Sequence, residues 1–162
     1  MLQKKIYKNF GFALVELMIA CALVASITIT LLSYGQKGLG LSNIVLRQTQ
    51  AAYLIEEAAE AVKTIRDNDW ATISALSLNT DYYLSFNNNT NSWSLSTTPS
   101  TIDGIFTRKI VFSSVKRDTN SDITSSGGSV DSGSIKVYIN IAWITSEGSS
   151  SKDLTFYIFD LF

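Results

Sequence analysis

Histidine is absent from the 162-residue sequence, and cysteine occurs once, at Cys21. The lack of histidine removes the most common general base and the most common transition-metal ligand of proteins. A single cysteine excludes an internal disulfide bond, so a folded part of the chain depends on its own packing. The formal net charge of −1 gives no indication of a nucleic-acid partner. The length fits one small domain with a membrane segment.

A recognisable set of catalytic residues is also missing. The sequence contains no histidine-based triad, no metal-ligand cluster and no glycine-rich phosphate loop. Cys21 lies in a long apolar run, where it is better interpreted as a small packing residue than as a nucleophile. We therefore expect a protein that is not an enzyme and that needs no cofactor, apart from a weak calcium candidate described below.

The long apolar run covers residues 12–34 and reads FALVELMIACALVASITITLLSY. As a helix with a rise of about 1.5 Å per residue, it would extend about 34 Å, and the core of a bilayer is about 30 Å thick. Residues 1–11 contain Lys4, Lys5 and Lys8 and no acidic residue. Because basic residues favour the cytoplasmic side, the sequence predicts a single-pass inner or cytoplasmic membrane protein with its N-terminus inside and its C-terminal bulk outside.

Three ordinary interpretations of this N-terminus compete. A secretory signal peptide would be cut after Ala20-Cys21-Ala22, and a lipoprotein signal would be cut before Cys21. Both are disfavoured because the apolar run continues far beyond Ala22 and because Glu16 interrupts it. A plain single-pass anchor explains everything except Gly11 and Glu16.

Glu16 is the only charged residue of the apolar run. A carboxylate within hydrocarbon costs about 2.5–3.5 kcal/mol on insertion scales, and snorkelling toward the interface lowers that cost. A positively charged partner would offset it, but the run contains no basic side chain. The amino group of a newly cut chain would be such a partner.

The segment 11–16, which reads GFALVE, resembles the leader-peptide junction of type IV prepilins and pseudopilins. Gly11, Phe12 and Glu16 fall on the motif positions of that family, whereas Phe10 and Ala13 depart from its usual residues. The resemblance implies that prepilin peptidase cuts between Gly11 and Phe12 and that the new amine of Phe12 is methylated. It also implies that Glu16 neutralises this amine in a neighbouring subunit.

The resemblance further implies partners and a division of the chain. The partners are prepilin peptidase, other pilin or pseudopilin subunits bound through the N-terminal helix, membrane lipid and, indirectly, an assembly platform with its ATPase. The implied segments are a cleaved leader (1–11), a transmembrane assembly helix (12–34), an amphipathic continuation of that helix (35–70) and a globular β-sheet head (71–162).

The continuation of the helix begins with Gly35, Gly38 and Gly40, which predict a weak joint because glycine destabilises helices. This joint is either a region that loses helical order inside a filament, as the family implies, or a simple juxtamembrane linker. An apolar stripe at helical spacing follows and needs a partner surface; it consists of Leu41, Ile44, Ala51, Ile55, Ala58, Val62 and Ile65. The helix is expected to end at Asp67-Asn68-Asp69. Residues 52–70 are similar to the helix end of minor pilins and minor pseudopilins of the I/V type.

The remaining sequence predicts β-structure. A hairpin is expected from residues 82–86 and 92–96 around an Asn-rich turn, with further strands over 105–116, 135–145 and 153–161. In the 135–145 strand, Ile135, Val137, Ile139, Ile141 and Trp143 would share one face. The predicted fold class is α+β, with the long helix packed on a small antiparallel sheet, which is also the fold of the pilin family.

Residues 118–134 are predicted to form a long polar loop. Asp118, Asn120 and Asp122 in this loop have the D-x-N-x-D spacing of a calcium loop. Ile123 and Ser129 stand where an EF-hand would have its glycine and its final glutamate, so a solvated loop is the stronger interpretation.

Two functions remain open from the sequence. The first is a minor pilin or pseudopilin of a type IV pilus, a competence pilus or a type II secretion system, exposed on the cell surface or in the periplasm after assembly. The alternative is a membrane-anchored surface-binding or adhesion protein that does not assemble.

Overall fold

The computed structural model describes residues 10–145 and 148–161. Helix α1 covers Phe10–Asn68 and helix α2 covers Trp70–Ser74. Seven strands follow: β1 (Asp81–Asn87), β2 (Ser92–Ser96), β3 (Thr101–Ile102), β4 (Phe106–Arg117), β5 (Ile123–Thr124), β6 (Ser129–Thr145) and β7 (Gly148–Phe159). Most of the predicted leader, residues 1–9 with its three lysines, lies outside the described residues.

The chain forms two compact units with a boundary between Leu46 and Arg47, and helix α1 contributes residues to both. In the first unit, the side chains described from Phe12 to Leu46 are exposed. Gly35, Gly38 and Gly40 all lie within α1, which continues through them without a break. The helix ends at Asn68, as the turn-forming residues around it predict. Asp69 then caps α2, since its side chain accepts a hydrogen bond from the amide of Ala71.

The second unit contains an antiparallel sheet in the order β2-β1-β4-β6-β7, with β3 and β5 also pairing with β4. The α+β fold class, with one long N-terminal helix packed with an antiparallel sheet, is therefore confirmed. The longest ladders join β4 to β6 and β6 to β7. The register of the β4–β6 ladder shifts between Ser114 and Val115 of β4, where β6 contains extra residues that form a β-bulge.

The core lies between α1 and one face of this sheet. Five residues of the predicted helix stripe are buried, namely Ala51, Ile55, Ala58, Val62 and Ile65. The predicted inward face of β6 is confirmed, because Ile135, Val137, Ile139, Ile141 and Trp143 are all buried in the same cluster. Two members of the stripe were predicted wrongly: Leu41 and Ile44 remain exposed, since burial along α1 begins only in the second unit.

The prediction of one polar loop over residues 118–134 is wrong in its extent. Residues 123–124 form β5 against the end of β4, and β6 already begins at Ser129. Pairing with β4 supplies the hydrogen bonds that hold these serine- and glycine-rich residues extended, which their own side chains do not favour. β7 likewise begins at Gly148, five residues before the predicted start, because every residue of β7 pairs with a residue of β6.

Candidate functional site

The three residues of the predicted leader motif lie together in α1. Gly11 and Phe12 belong to its first turn, and Glu16 follows Phe12 by one turn on the same helix face. Phe12 and Glu16 are both exposed. Within residues 10–145 and 148–161, no hydrogen bond or ion pair engages the Glu16 carboxylate.

The serine and threonine hydroxyls of the apolar run are all hydrogen-bonded within the helix. Ser26 donates to the carbonyl of Leu23, Thr28 to that of Val24, and Thr30 to that of Ser26, each at 2.8 Å. Ser33 donates to the carbonyl of Ile29 at 2.9 Å. Such back-bonding removes the cost of placing a hydroxyl in hydrocarbon. Glu16 therefore differs from these four hydroxyl groups, because no such partner engages it within the described part of the chain.

Among the described residues, α1 is the one helix that is long and apolar enough to cross a membrane, by length and composition. Its apolar segment is exposed throughout rather than buried in a core. A membrane-spanning role is thus compatible with the helix.

Two acidic residues near the C-terminal end of α1, Glu60 and Asp67, form ion pairs with neighbouring basic residues. Nζ of Lys63 lies 2.7 Å from Oε1 of Glu60. Arg66 pairs with the neighbouring Asp67 at 2.7 Å. The Lys63–Glu60 contact is exposed and contributes little to stability.

Sequence reasoning missed Arg108, a buried cation in the core face of β4. Its Nη1 lies 3.4 Å from Oε2 of Glu57 on α1, and its guanidinium lies 5.5 Å from the ring centre of Trp93 on β2. Along β4, Arg108 lies two residues from Phe106 and two from Ile110, and all three are buried because every second residue of the strand faces the core. This alternation was the signal available in the sequence, because it places Arg108 on the inward face.

A second ionic cluster was also missed, at the irregular end of the β4–β6 ladder. Nε of Arg117 donates to Oδ2 of Asp131 at 2.6 Å, and Ser134 donates to the same oxygen at 2.5 Å. The amide of Gly133 donates to Oδ1 at 2.9 Å. The hydrogen bond from Arg117, followed by those from Ser134 and Gly133, lowers the pKa of Asp131 to about 2. This cluster fixes the bulged strand, and its position at a register shift made it invisible to pattern analysis.

The calcium candidates Asp118, Asn120 and Asp122 lie in a turn that is closed by hydrogen bonds among these same residues. Oδ1 of Asp118 accepts hydrogen bonds from the amides of Asn120 at 2.9 Å and Asp122 at 3.0 Å. Among the described residues, 118–122 included, no group of three or more Asp, Glu, Cys or His residues is placed to hold a metal ion. Asp118 therefore has a structural role as a turn cap, and calcium binding by Asp118, Asn120 and Asp122 stays a prediction.

Comparisons with protein-family models, with curated proteins and with solved structures found no match to this chain. The function must therefore be argued from the residues and the fold of the chain itself.

Proposed function

We propose that this protein is a minor pilin or pseudopilin, a filament subunit that is processed by prepilin peptidase and assembled through its N-terminal helix. The observation that carries the proposal is Glu16, a carboxylate without a partner in the described chain, one turn after Phe12 on an exposed apolar helix. In lipid, such a group is costly unless a cation approaches it. The amine of a cut and methylated Phe12 in an adjacent subunit would supply that cation.

The architecture supports this role. The part of α1 up to Leu46 exposes apolar side chains, whereas the part from Arg47 onward buries one face in the core of the sheet unit. A chain built in this way has a folded head and a separate helical surface that needs apolar surroundings. Lipid would provide them before assembly, and neighbouring helices would provide them in a filament. The basic residues before the helix keep the N-terminus on the cytoplasmic side, so the sheet unit lies outside.

The intact mass of the protein, recovered from its native membrane, tests the processing step. We expect a chain that begins at Phe12 and carries one added methyl group. A Gly11→Val variant should keep residues 1–11, because the bulky side chain replaces the glycine of the cleavage motif. A wild-type chain that still begins at Met1 would contradict the proposal and favour a membrane-tethered binding protein that does not assemble. A chain that begins at Leu23 would instead show ordinary signal-peptide cleavage.

A further inference from the structure

A groove of about 490 Å³ opens on the sheet face opposite α1. Ser113, Lys136 and Tyr157 lie side by side across β4, β6 and β7 in the ladder register. Their neighbours along each strand, including Phe112, Val137 and Ile158, are buried in the core, so the alternation of side chains places this row on the outer face. Ser114, Lys116, Thr124 and Ser125 complete the polar lining.

The groove concentrates positive charge in an acidic unit. Residues 47–162 contain nine basic and thirteen acidic residues, a net charge of −4. Five of the nine cations are ion-paired in the described chain, namely Lys63, Arg66, Arg108, Lys109 and Arg117. Lys116 and Lys136 have no ion pair there, and no acidic residue lines the groove with them. Two lysines thus line one cavity, and neither is ion-paired within the described residues.

The walls of the groove are held in place by contacts beneath it. β5 forms one wall, where Thr124 pairs with Lys116 of β4. The return from β5 to β6 passes through Gly128, which has a φ of +71° and lies against the backbone carbonyl of Arg117. Arg117 is itself fixed by Asp131 and Ser134. A cavity that exists before its ligand arrives binds at a lower entropic cost.

The hydroxyl groups of the groove restrict the chemistry of the ligand. Ser113 already donates its hydroxyl proton to Oδ1 of Asn79, and Thr124 donates its proton to the carbonyl of Ser126. Both oxygens are left as acceptors, so a matching ligand must bring hydrogen-bond donors as well as negative charge. Tyr157 adds an aromatic surface that is 40% exposed. An anion without hydroxyl groups, such as sulfate, meets only part of this pattern.

We propose that this groove binds an acidic oligosaccharide, with uronate carboxylates on Lys116 and Lys136 and sugar hydroxyls donating to Ser113 and Thr124. The cavity volume is in the range of about 300–1,000 Å³ that is usual for small-ligand sites. A nucleic acid is a poorer occupant because its phosphodiester groups bring no hydrogen-bond donors to Ser113 and Thr124. This ligand role goes beyond filament assembly and does not depend on it.

The test uses the full chain in non-ionic detergent, titrated with trigalacturonate by isothermal calorimetry. Its methyl ester, which keeps the hydroxyls but removes the charge, is the matched neutral probe. We expect trigalacturonate to bind and the ester to bind at least tenfold more weakly. Lys116→Gln and Lys136→Gln should each weaken trigalacturonate binding about tenfold, as a charge-assisted hydrogen bond is lost. Binding should also weaken as salt is raised.

Lys152→Gln is the matched control variant. Lys152 is also exposed and without an ion pair in the described chain, but it lies outside the groove, beside Trp143. It should bind trigalacturonate as the wild type does. Equal binding of the ester, equal weakening by Lys152→Gln, or no binding of trigalacturonate would each overturn the proposal. Binding of a single-stranded oligonucleotide through Lys116 and Lys136 in the absence of trigalacturonate binding would also overturn it.

Discussion

Nη1 of Arg108 lies 3.4 Å from Oε2 of Glu57, although the two residues differ greatly in exposure. Arg108 is 5% exposed in the core, whereas the Glu57 side chain is 44% exposed at the surface of α1. Nε and Nη1 of Arg108 have no hydrogen-bond partner among the described residues, so the contact with Glu57 is an ion pair without hydrogen-bond geometry. With Trp93 on its other side, this guanidinium connects α1, the central strand β4 and the β1–β2 hairpin.

The difference in exposure predicts that replacing the exposed Glu57 lowers the free energy of unfolding more than replacing the buried Arg108. Glu57→Gln leaves a buried cation without compensation and should lower the free energy of unfolding by about 2 kcal/mol. Arg108→Met fills a similar volume, and the Glu57 left behind can be hydrated, so its effect should stay within about 1 kcal/mol. Urea unfolding followed by tryptophan fluorescence measures both values.

The double variant Glu57→Gln/Arg108→Met is the control for this argument. It should be more stable than Glu57→Gln alone, because the uncompensated charge has been removed. If Arg108→Met proved the more damaging single change, the guanidinium would be a net stabilising group and our interpretation would be wrong.

Glu16 should be needed for assembly but not for membrane insertion. Glu16→Leu removes the insertion cost of a carboxylate, so the protein should remain in the membrane fraction at the wild-type level. Its amount in sheared filaments, measured by quantitative immunoblotting, should fall at least tenfold because the charge that meets the Phe12 amine is lost. Glu16→Asp keeps the charge and should retain part of the incorporation. Wild-type levels of Glu16→Leu in filaments would contradict the assembly role.

Two adjacent glycines should respond differently to alanine. Gly127 and Gly128 have φ values of +74° and +71°, so a side chain at either position costs about 1–2 kcal/mol in backbone strain. A Cβ at Gly128 would also overlap the carbonyl oxygen of Arg117, whereas a Cβ at Gly127 would meet open space. Gly128→Ala should therefore lower the free energy of unfolding by about 2 kcal/mol more than Gly127→Ala. Equal losses in urea unfolding would show that β5 moves freely away from β4.

Asp131 should make the stability of the sheet unit sensitive to acid. Its pKa falls from 3.8 to about 2 on folding, so the folded state binds fewer protons than the unfolded state between these values. The stabilisation is complete above pH 3.8 and is lost as the pH falls toward 2. Asp131→Asn should be less stable than the wild type at pH 6, and this difference should shrink by pH 2. Urea unfolding at both pH values measures it, with Glu60→Gln in an exposed pair as the control. A difference that stayed constant with pH would contradict the assignment.

The main elements of the fold could be predicted because their signals are local. The helical stripe from Ala51 to Ile65 and the alternation from Ile135 to Trp143 each repeat with the period of their own secondary structure. Local patterns could not show that Leu41 and Ile44 stay exposed, because both residues continue the helical spacing of the stripe. They differ from the buried members of the stripe only in lying before Arg47, where the sheet unit begins. The strands at residues 123–124 and 129–131 were not predicted for a related reason, since these residues are held extended by pairing with β4.

The apolar length of the N-terminal helix and the α+β class were determined by the sequence itself, because each depends on residues that are close together in the chain. The leader motif proposed at Gly11, Phe12 and Glu16 is likewise a local pattern of the sequence. Only the tertiary structure decided that Arg108 lies beside Glu57, that Arg117 binds Asp131, and that Lys116 and Lys136 share a groove. These relationships join residues that are distant in sequence or displaced by a β-bulge. Charge pairing depends on distance in space, and the spacing of residues along the chain does not specify that distance.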